Sequence, residues 1–534
     1  MTQETRFSCL LVGNEFLAAE CGRMLLEAGH EIRAVVTRKA EVRSWAEDAG
    51  LQVLGGLDAL QAAAPRADWL ISAANLDLLA PEHLALAGKG AINFHDGPLP
   101  RYAGLNAPVW ALLAGEARHG VTWHRIAEGI DEGAIIAAKT FDVAETDTAL
   151  TLNARCFSAG IECFPDVITS LEADLAGARP QDLADRSYFA KNARPEAGGL
   201  IDLATPAGDI LRLMRALDHG AYWNPLSVPK LLIGADTFLV RTAEAAEGDA
   251  APGEVLSVTK DSITLGTASH CLRFSGLTDM MGAPRMPRLV PGDVIPAPRD
   301  KPALQAALKD AIPGENRWIR AFSAYAPALW CTATGEAGEA SETVEGNPET
   351  LAQAFAAIVA VVSGGDPVDL ALADPGATPG VTLPWRPVRF EADQPWGAAS
   401  SAFSAALTAA ADAPGIAADL PARLVEITQR RLPDAALSDD GPLPGAALTL
   451  ERTATGARLH ADLSRISRAE LDLFAARLGH LAGELTSVAE ETPISRLPLL
   501  PEAEKTLLLQ TWNDTGADFA ETTCIHQKTC HARS

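Results

Sequence analysis

The pattern at the start of the chain restricts the fold more than any other feature. An apolar run from Ser8 to Gly13 is followed by apolar side chains at helical spacing over residues 16–28, and then by a second apolar run from Glu31 to Thr37. Parallel strands joined through a helix are covered on both faces, which requires such continuous apolar runs. The sequence therefore predicts an α/β fold built on a Rossmann-like, doubly wound parallel sheet.

The first turn of this unit carries a single glycine. Gly13 stands alone, and the chain has no GxGxxG pattern after the first strand. The glycines of that pattern let a pyrophosphate approach the backbone and the start of the helix. A dinucleotide site is therefore not predicted here.

Polar residues cluster where the predicted strands end. Asn93 and His95 close the run KGAINFH, and Asp131 lies in the loop GIDEGAI, after the strand GVTWHRI. Residues i and i+2 of a strand point to the same side, so Asn93 and His95 face one cleft. An imidazole can move a proton, an amide can donate to an oxyanion, and a carboxylate can orient the imidazole. Taken singly, each is equally compatible with a capped strand end or a turn.

Several motifs together carry a family resemblance. N-x-H in INFHDG, then LPRYAG, GVT and GIDEG resemble the catalytic domain of 10-formyltetrahydrofolate-dependent formyltransferases, over about residues 6–295. The resemblance implies that Asn93, His95 and Asp131 are catalytic and that 10-formyltetrahydrofolate is the co-substrate. It also implies a donor pocket whose lining is drawn from two loops: Asn75, Leu76, Ile126, Gly129, Ile130 and Gly133.

The pattern changes along the chain and predicts further domains. Residues 1–195 form the predicted catalytic domain, and the short alternating runs of residues 196–298 predict a small OB-like β-barrel. A Pro-rich and charged stretch indicates a linker at 299–315. Residues 316–495 resemble the C-terminal half of a nonribosomal peptide synthetase condensation domain, which implies an α+β fold. Residues 496–534 resemble the linker from that domain toward an adenylation domain, which is absent.

The composition and the absence of certain sequence patterns make some classes of function unfavourable. The net charge of −25 disfavours a nucleic-acid partner, because such binding depends on Lys and Arg. No secretory pattern and no apolar run of about 20 residues is present, so we expect a cytoplasmic protein without a membrane segment. The cysteines are scattered, and no metal site is predicted, including at Cys524 and Cys530 near the end.

The leading hypothesis is an N-formyltransferase in nonribosomal peptide or siderophore biosynthesis. Its acceptor would be a small amine or an aminoacyl group on a carrier domain, with peptide-synthetase modules as partners. The condensation family's HHxxxDG motif is absent, so residues 316–495 should not form peptide bonds. Methionyl-tRNA or sugar N-formyl transfer is the alternative within the class, and hydrolysis of the donor is a further one. An alternative of another class is a non-catalytic, folate-binding docking protein for a synthetase.

Overall fold

The computed structural model describes residues 6–424, 427 and 430–514. Contacts divide the chain into two compact units. The first consists of the residues up to 319 together with 378–383 and 416–430, and the second contains the other described residues. The domain boundaries expected from the sequence remain predictions, and residues 515–534 of the predicted terminal linker lie outside the described residues.

The first unit is built on a seven-stranded sheet with the order β3-β2-β1-β4-β5-β7-β8. The seven strands are β1 Ser8–Val12, β2 Glu31–Val36, β3 Val53–Leu54, β4 Ala67–Ser72, β5 Ala87–His95, β7 Arg118–Arg125 and β8 Ile135–Asp142. Two short strands, β6 Ala103–Gly104 and β9 Tyr188–Phe189, pair with each other in a separate sheet.

The predicted parallel sheet is confirmed for five strands, from β3 to β5. The remaining two, β7 and β8, run antiparallel to their neighbours, so the sheet as a whole is mixed. The connection explains the difference. Only residues 126–134 join β7 to β8, and a link that short closes a hairpin, whereas parallel neighbours need a longer crossover.

Helices cover both faces of this sheet and continue toward the second part of the unit. They are α1 Phe16–Glu27, α2 Ala40–Asp48, α3 Leu57–Ala63, α4 Pro81–Leu84, α5 Ala107–Ala114, α6 Ala149–Glu162, α7 Phe164–Glu172, α8 Ala207–Ala216, α9 Lys301–Ala311 and α10 Glu315–Ser323, whose last residues belong to the second unit. Two separate apolar clusters lie on the two faces of the sheet, as a doubly wound fold requires.

Gly13 shows why the first turn is so tight. A Cβ at this position would lie 2.2 Å from the carbonyl oxygen of Ala73, on the neighbouring strand's extension. Only glycine therefore allows the β1–α1 turn to pack against the chain leaving β4.

Short antiparallel strands follow in the first unit. β10 Lys230–Ile233 pairs with β11 Asp236–Leu239, and a four-stranded sheet has the order β12-β15-β14-β13. The four strands of that sheet are β12 Thr242–Ala245, β13 Val255–Val258, β14 Ser262–Leu265 and β15 Leu272–Ser275. Strand-rich structure after residue 198 was expected, and closure into an OB-like barrel stays a prediction.

The second unit has a six-stranded mixed sheet with the order β16-β21-β20-β19-β17-β18. The remaining elements of the chain are β16 Glu339–Glu345, α11 Pro348–Val362, β17 Val368–Ala373, β18 Trp385–Phe390, α12 Trp396–Ala411, α13 Leu420–Arg423, β19 Ala435–Ser438, β20 Leu448–Thr453, β21 Gly456–Asp462, α14 Arg468–Glu484 and α15 Glu502–Thr506. Of these, α13 belongs to the first unit. The α+β character expected for residues 316–495 is present, and the condensation-domain origin stays a prediction.

A buried ionic cluster lies within the first unit. Lys230 Nζ lies 2.7 Å from Asp419 Oδ2, and both side chains are only 2% exposed. Arg423 Nε lies 3.2 Å from the other oxygen of Asp419, and Arg423 also contacts Glu315. Burial acts to raise the pKa of Asp419, but Lys230 and Arg423 outweigh it and hold that pKa well below its usual range. Each charge is therefore stable only in the presence of the others.

Asp419→Asn tests this dependence. We expect a loss of about 3–5 kcal/mol in the free energy of unfolding, because Lys230 would be left buried without its counter-charge. Urea denaturation followed by circular dichroism measures the loss. The double variant Asp419→Asn/Lys230→Met should recover much of it.

The matched control is Asp236→Asn, which breaks an ion pair with Arg285 whose side chains are about half exposed. We expect it to change the free energy of unfolding by less than about 1 kcal/mol. Equal effects from the buried and the exposed substitution would contradict the role given to the cluster.

Candidate active site

The pairing of β5 with β7 positions the candidate site. Asn93 lies opposite His124 in the antiparallel register. Directly opposite residues share a face, so Asn93, His95 and His124 point to the same side. Phe94 and Trp123 point to the other side, where their rings lie 5.3 Å apart in the apolar core. The sheet thus separates a polar face at the end of β5 from a packed face behind it.

His95 is held in one orientation. Its side chain is 5% exposed, and Nε2 lies 2.8 Å from the carbonyl oxygen of Tyr102. A carbonyl only accepts, so Nε2 carries a hydrogen and donates it. The neutral ring therefore keeps its free lone pair on Nδ1, which is the atom that can take up a proton.

Asp131 faces Nδ1 of His95. Its Oδ2 lies 3.6 Å from His95 Nδ1, within ion-pair distance, and the same oxygen accepts a hydrogen bond of 2.8 Å from the backbone N–H of Gly104. The backbone of Asp131 is left-handed, with φ +56°. At Gly133 a Cβ would lie 1.7 Å from the carbonyl oxygen of Arg125, so the loop must have glycine there.

The pKa of Asp131 is lowered. Burial acts to raise this pKa, but the side-chain contact with His124 and the charge of a protonated His95 outweigh burial. His124 Nε2 lies 3.4 Å from Asp131 Oδ1. Asp131 is therefore ionised at every pH above its ordinary range and can stabilise a protonated His95.

Two residues far along the chain fix the Asp131 loop. Gln181 Nε2 donates to the carbonyl oxygens of Asp131 and Gly133, at 2.7 Å each. Arg186 donates to the carbonyl oxygen of Ile130 at 3.0 Å. These bonds satisfy the backbone of a loop in a sparsely populated conformation, which would otherwise lose its shape.

His124 connects Asn93 with Asp131. Its Nδ1 donates to the carbonyl oxygen of Arg125 at 3.0 Å, so in the neutral ring Nε2 is an acceptor. Asn93 Nδ2 lies 3.3 Å from that Nε2 and donates to it. This bond fixes which way the Asn93 amide is turned, and it leaves the second hydrogen of Nδ2 free for a ligand.

The six residues expected to line a donor pocket lie on two loops of this edge. Ile126, Gly129, Ile130 and Gly133 share the β7–β8 loop with Asp131, whereas Asn75 and Leu76 follow β4, the other neighbour of β5. Leu76 is 84% exposed and Ile130 49% exposed, so the apolar surface of both side chains is open to solvent. Their role in binding stays a prediction.

A cavity of about 180 Å³ lies beside this edge, at the ends of β1, β2 and β4. It shares Asn75 with the predicted set but contains none of Asn93, His95 and Asp131. Its lining is Val12, Asn14, Val36, Thr37, Arg38, Gly56, Leu57, Asn75 and Asp77. Asn75 itself is tied into a local turn, in which it bonds the backbone N–H and carbonyl of Asp77.

The sequence did not identify His124, Gln181 or Arg186. For His124 the sequence predicted the strand GVTWHRI but not its direction. The antiparallel register in the structure places His124 beside Asn93. Gln181 and Arg186 lie in a stretch with no periodic pattern, so no local signal could have assigned them.

No group of three or more His, Cys, Asp and Glu side chains in residues 6–424 and 430–514 is arranged to hold a metal ion. In the same ranges no helix has both the length and the apolar character required to cross a bilayer. Cys524 and Cys530 lie outside the described residues.

His124→Leu tests the electrostatics of the site. It removes the side-chain contact that lowers the pKa of Asp131 while burial remains, so we expect that pKa to rise. Carboxyl-carbon NMR of Asp131 measures it in both proteins. The ionised Asp131 stabilises the fold above its ordinary pKa, and this contribution is lost as the pH falls through the lowered value. An unchanged midpoint in the variant would contradict the contact.

Part of the chain is similar to known proteins. Residues 22–168 match the family described as formyl transferase. The chain is 27% identical over 287 residues to methionyl-tRNA formyltransferase of Chromobacterium violaceum, covering 50% of this chain and 90% of the relative.

Solved structures of three similar proteins each align with about half of the chain. WlaRD, a sugar 3N-formyl transferase, is 18% identical with a TM-score of 0.40, over 51% of this chain and 98% of its own. An N-formyltransferase from Helicobacter canadensis is 17% identical with a TM-score of 0.41, over 51% and 99%. HypX from Aquifex aeolicus is 18% identical with a TM-score of 0.39, over 51% and 44%.

The family match includes β5, β7 and the Asp131 loop, and thus Asn93, His95, His124 and Asp131, but it ends before Gln181 and Arg186. The prediction of a formyl-transferring enzyme is confirmed at this level. This statement holds for residues 22–168, the segment that matches the formyl transferase family.

Proposed function

We propose that the chain is an N-formyltransferase that moves a formyl group from 10-formyltetrahydrofolate to an amino group in nonribosomal peptide or siderophore biosynthesis. The observation that carries the proposal is the convergence of Asn93, His95 and Asp131 at the end of β5. His95 Nδ1 lies 3.6 Å from Asp131, and Asn93 is oriented by His124. Structures are described for WlaRD with 5-N-formyl-THF, for the Helicobacter canadensis enzyme with folinic acid and for HypX with tetrahydrofolic acid.

His95 acts as the base for the acceptor amine. Nδ1 holds the free lone pair, because Nε2 is committed to the carbonyl of Tyr102. It takes the proton that the amine nitrogen loses as it attacks the formyl carbon. Asp131, which stays ionised, stabilises the imidazolium that results.

Asn93 stabilises the charge that develops on the formyl oxygen. One hydrogen of its Nδ2 is donated to His124, and the other is directed to the oxyanion of the tetrahedral intermediate. The amide does not reorganise during the reaction because His124 already fixes it. This is the condition under which a single donor contributes strongly to the rate.

The formyl group is transferred in two steps. The new bond forms between the acceptor nitrogen and the formyl carbon, and the bond between that carbon and N10 of the folate then breaks. The proton taken by His95 passes to N10, so that tetrahydrofolate leaves neutral at that nitrogen. Holding donor and acceptor together supplies much of the acceleration.

Two observations favour a small or carrier-bound acceptor in secondary metabolism. Residues 316–495 resemble a condensation-domain half, and a sheet with flanking helices is present in that region. The net charge of −25 is unfavourable for a tRNA acceptor. A sugar amine remains the alternative within the class, because WlaRD is described as a sugar 3N-formyl transferase. Peptide-synthetase modules are the partners that we propose.

A docking protein that only binds folate is the alternative of another class. It would need none of the proton-handling geometry at His95. The contacts of His124 with both Asn93 and Asp131 favour catalysis instead.

His95→Ala tests the catalytic role. We expect the rate of formyl transfer to fall about 10²–10⁴-fold, because the base for the amine is lost. Affinity for the folate should stay near that of the unchanged protein, since His95 acts at the reacting carbon. Tetrahydrofolate release, followed by absorbance, and folate binding by calorimetry are the two measurements.

The control is His270→Ala, at an exposed histidine of the β-rich part, which should leave the rate unchanged. If His95→Ala and the unchanged protein turn over equally, the proposed mechanism is wrong. If the unchanged protein binds folate tightly but releases no tetrahydrofolate with any amine, the result would favour the non-catalytic docking protein.

The acceptor class is tested with a panel of amines. Free hydroxyornithine, an aminoacyl thioester on a carrier domain, an amino-sugar nucleotide and methionyl-tRNA are each supplied with 10-formyltetrahydrofolate. We expect formylation of the first or the second. Preference for the amino-sugar nucleotide would move the proposal to the sugar class.

A further inference from the structure

Asp96, the residue that follows His95, brings a second carboxylate to the same imidazole nitrogen. Its Oδ1 lies 3.8 Å from His95 Nδ1, against 3.6 Å for Asp131 Oδ2. The Asp96 side chain is 25% exposed, whereas that of Asp131 is 11% exposed. Asp96 is thus the more accessible of two carboxylates at the atom that takes up a proton.

The neighbours of Asp96 leave its carboxylate without a hydrogen-bond donor from a described side chain. His119 Nε2 donates to the backbone carbonyl of Asp96, at 2.8 Å, and Cys156 Sγ lies 3.7 Å from that carbonyl. Burial lowers the pKa of His119, so its ring is neutral at neutral pH. The charged or titratable groups that face Asp96 are therefore His95, Asp131, neutral His119 and the buried thiol.

Three proton acceptors converge when His95 is neutral. They are Asp96 Oδ1, Asp131 Oδ2 and the lone pair on His95 Nδ1. Lone pairs at this spacing repel unless a proton donor lies among them. Even with His95 protonated, the two carboxylates leave one negative charge uncompensated. A cationic group with several N–H donors fits this arrangement.

The two carboxylates also differ in their chemistry. The pKa of Asp131 is lowered by its hydrogen-bonded partners, whereas burial raises the pKa of Asp96. Carboxylates whose environments separate their pKa values in this way divide the roles of fixed charge and proton carrier. Asp131 suits the first role and Asp96 the second.

We propose that Asp96 binds the ammonium group of the acceptor and takes its first proton. This inference rests on the proposed function, because it names how the acceptor of that reaction is recognised. An aliphatic amine arrives as R–NH₃⁺, which has no lone pair for attack. One N–H proton moves to the Asp96 carboxylate, the N–H bond electrons stay on nitrogen, and the neutral amine then attacks the formyl carbon while His95 takes the second proton.

Asp96 also affects which acceptor amines can react. An acceptor that is already neutral at neutral pH, such as a hydroxylamine nitrogen, needs only one proton removed and does not need Asp96. An aliphatic ammonium needs both bases. Asp96 therefore adds strongly basic primary amines to the acceptors that the site can use.

The first test requires neither turnover nor the folate. Carboxyl-carbon NMR of the full chain, with Asp96 assigned by the loss of its signal in Asp96→Asn, is recorded over a pH series with ethylammonium chloride as the probe. We expect the midpoint of Asp96 to fall when ethylammonium is added, because an adjacent cation favours the ionised form. Potassium chloride at the same ionic strength should not reproduce the shift.

Asp142, whose side chain is 87% exposed, is the internal reference and should not move. Equal shifts at Asp96 and Asp142, or no shift at Asp96 at any probe concentration, would overturn the ammonium site. This test measures no formyl transfer. The NMR result can therefore be interpreted even if the acceptor panel contradicts the proposed function.

The second test separates a binding role from a merely structural one. For Asp96→Asn we expect kcat/KM to fall about 10²-fold with an aliphatic amine and less than about threefold with a hydroxylamine, because only the former must lose an extra proton. The pH profile with the aliphatic amine should shift toward higher pH, where solvent removes the first proton. Asp96→Glu should recover part of the rate, and Asp142→Asn should match the unchanged protein. Equal losses with both acceptors would show that Asp96 only supports the fold of the loop.

Discussion

The antiparallel pairing of β7 with β5 is the constraint on which the site depends. It places His124 opposite Asn93, so that one ring both fixes an amide and contacts Asp131. It also returns the chain through the short β7–β8 loop, which brings the carboxylate back to His95 Nδ1. The chemistry of the edge therefore follows from the direction of one strand.

Much of this arrangement could be predicted from local sequence, and the remainder depended on distant contacts. The apolar runs around α1 gave the parallel strands, and alternation along KGAINFH placed Asn93 and His95 on one face. The direction of β7 and β8 was not accessible, because helix-free hairpin connections leave little periodic signal. Gln181 stabilises Asp131 from 50 positions away, and such pairing depends on the folded structure rather than on any spacing along the chain.

The electrostatics of the edge favour proton transfer over tight binding of an anion. Asp96 and Asp131 both lie near the His95 imidazole. His119 and His124 each donate one ring N–H to a backbone carbonyl. The site thus carries negative charge in a partly buried setting, where charge interactions are stronger than in water. Its histidines serve as hydrogen-bonding scaffolds around the single one that can exchange a proton with a substrate.

The buried charges of the first unit have a consequence for synthesis of the chain. Lys230 and Asp419 are 189 positions apart, and neither can be buried alone without a large penalty. Domains usually fold as they leave the ribosome, in order from the N-terminus. Here the N-terminal unit must wait, with its β-rich part incompletely packed, until α13 has been translated.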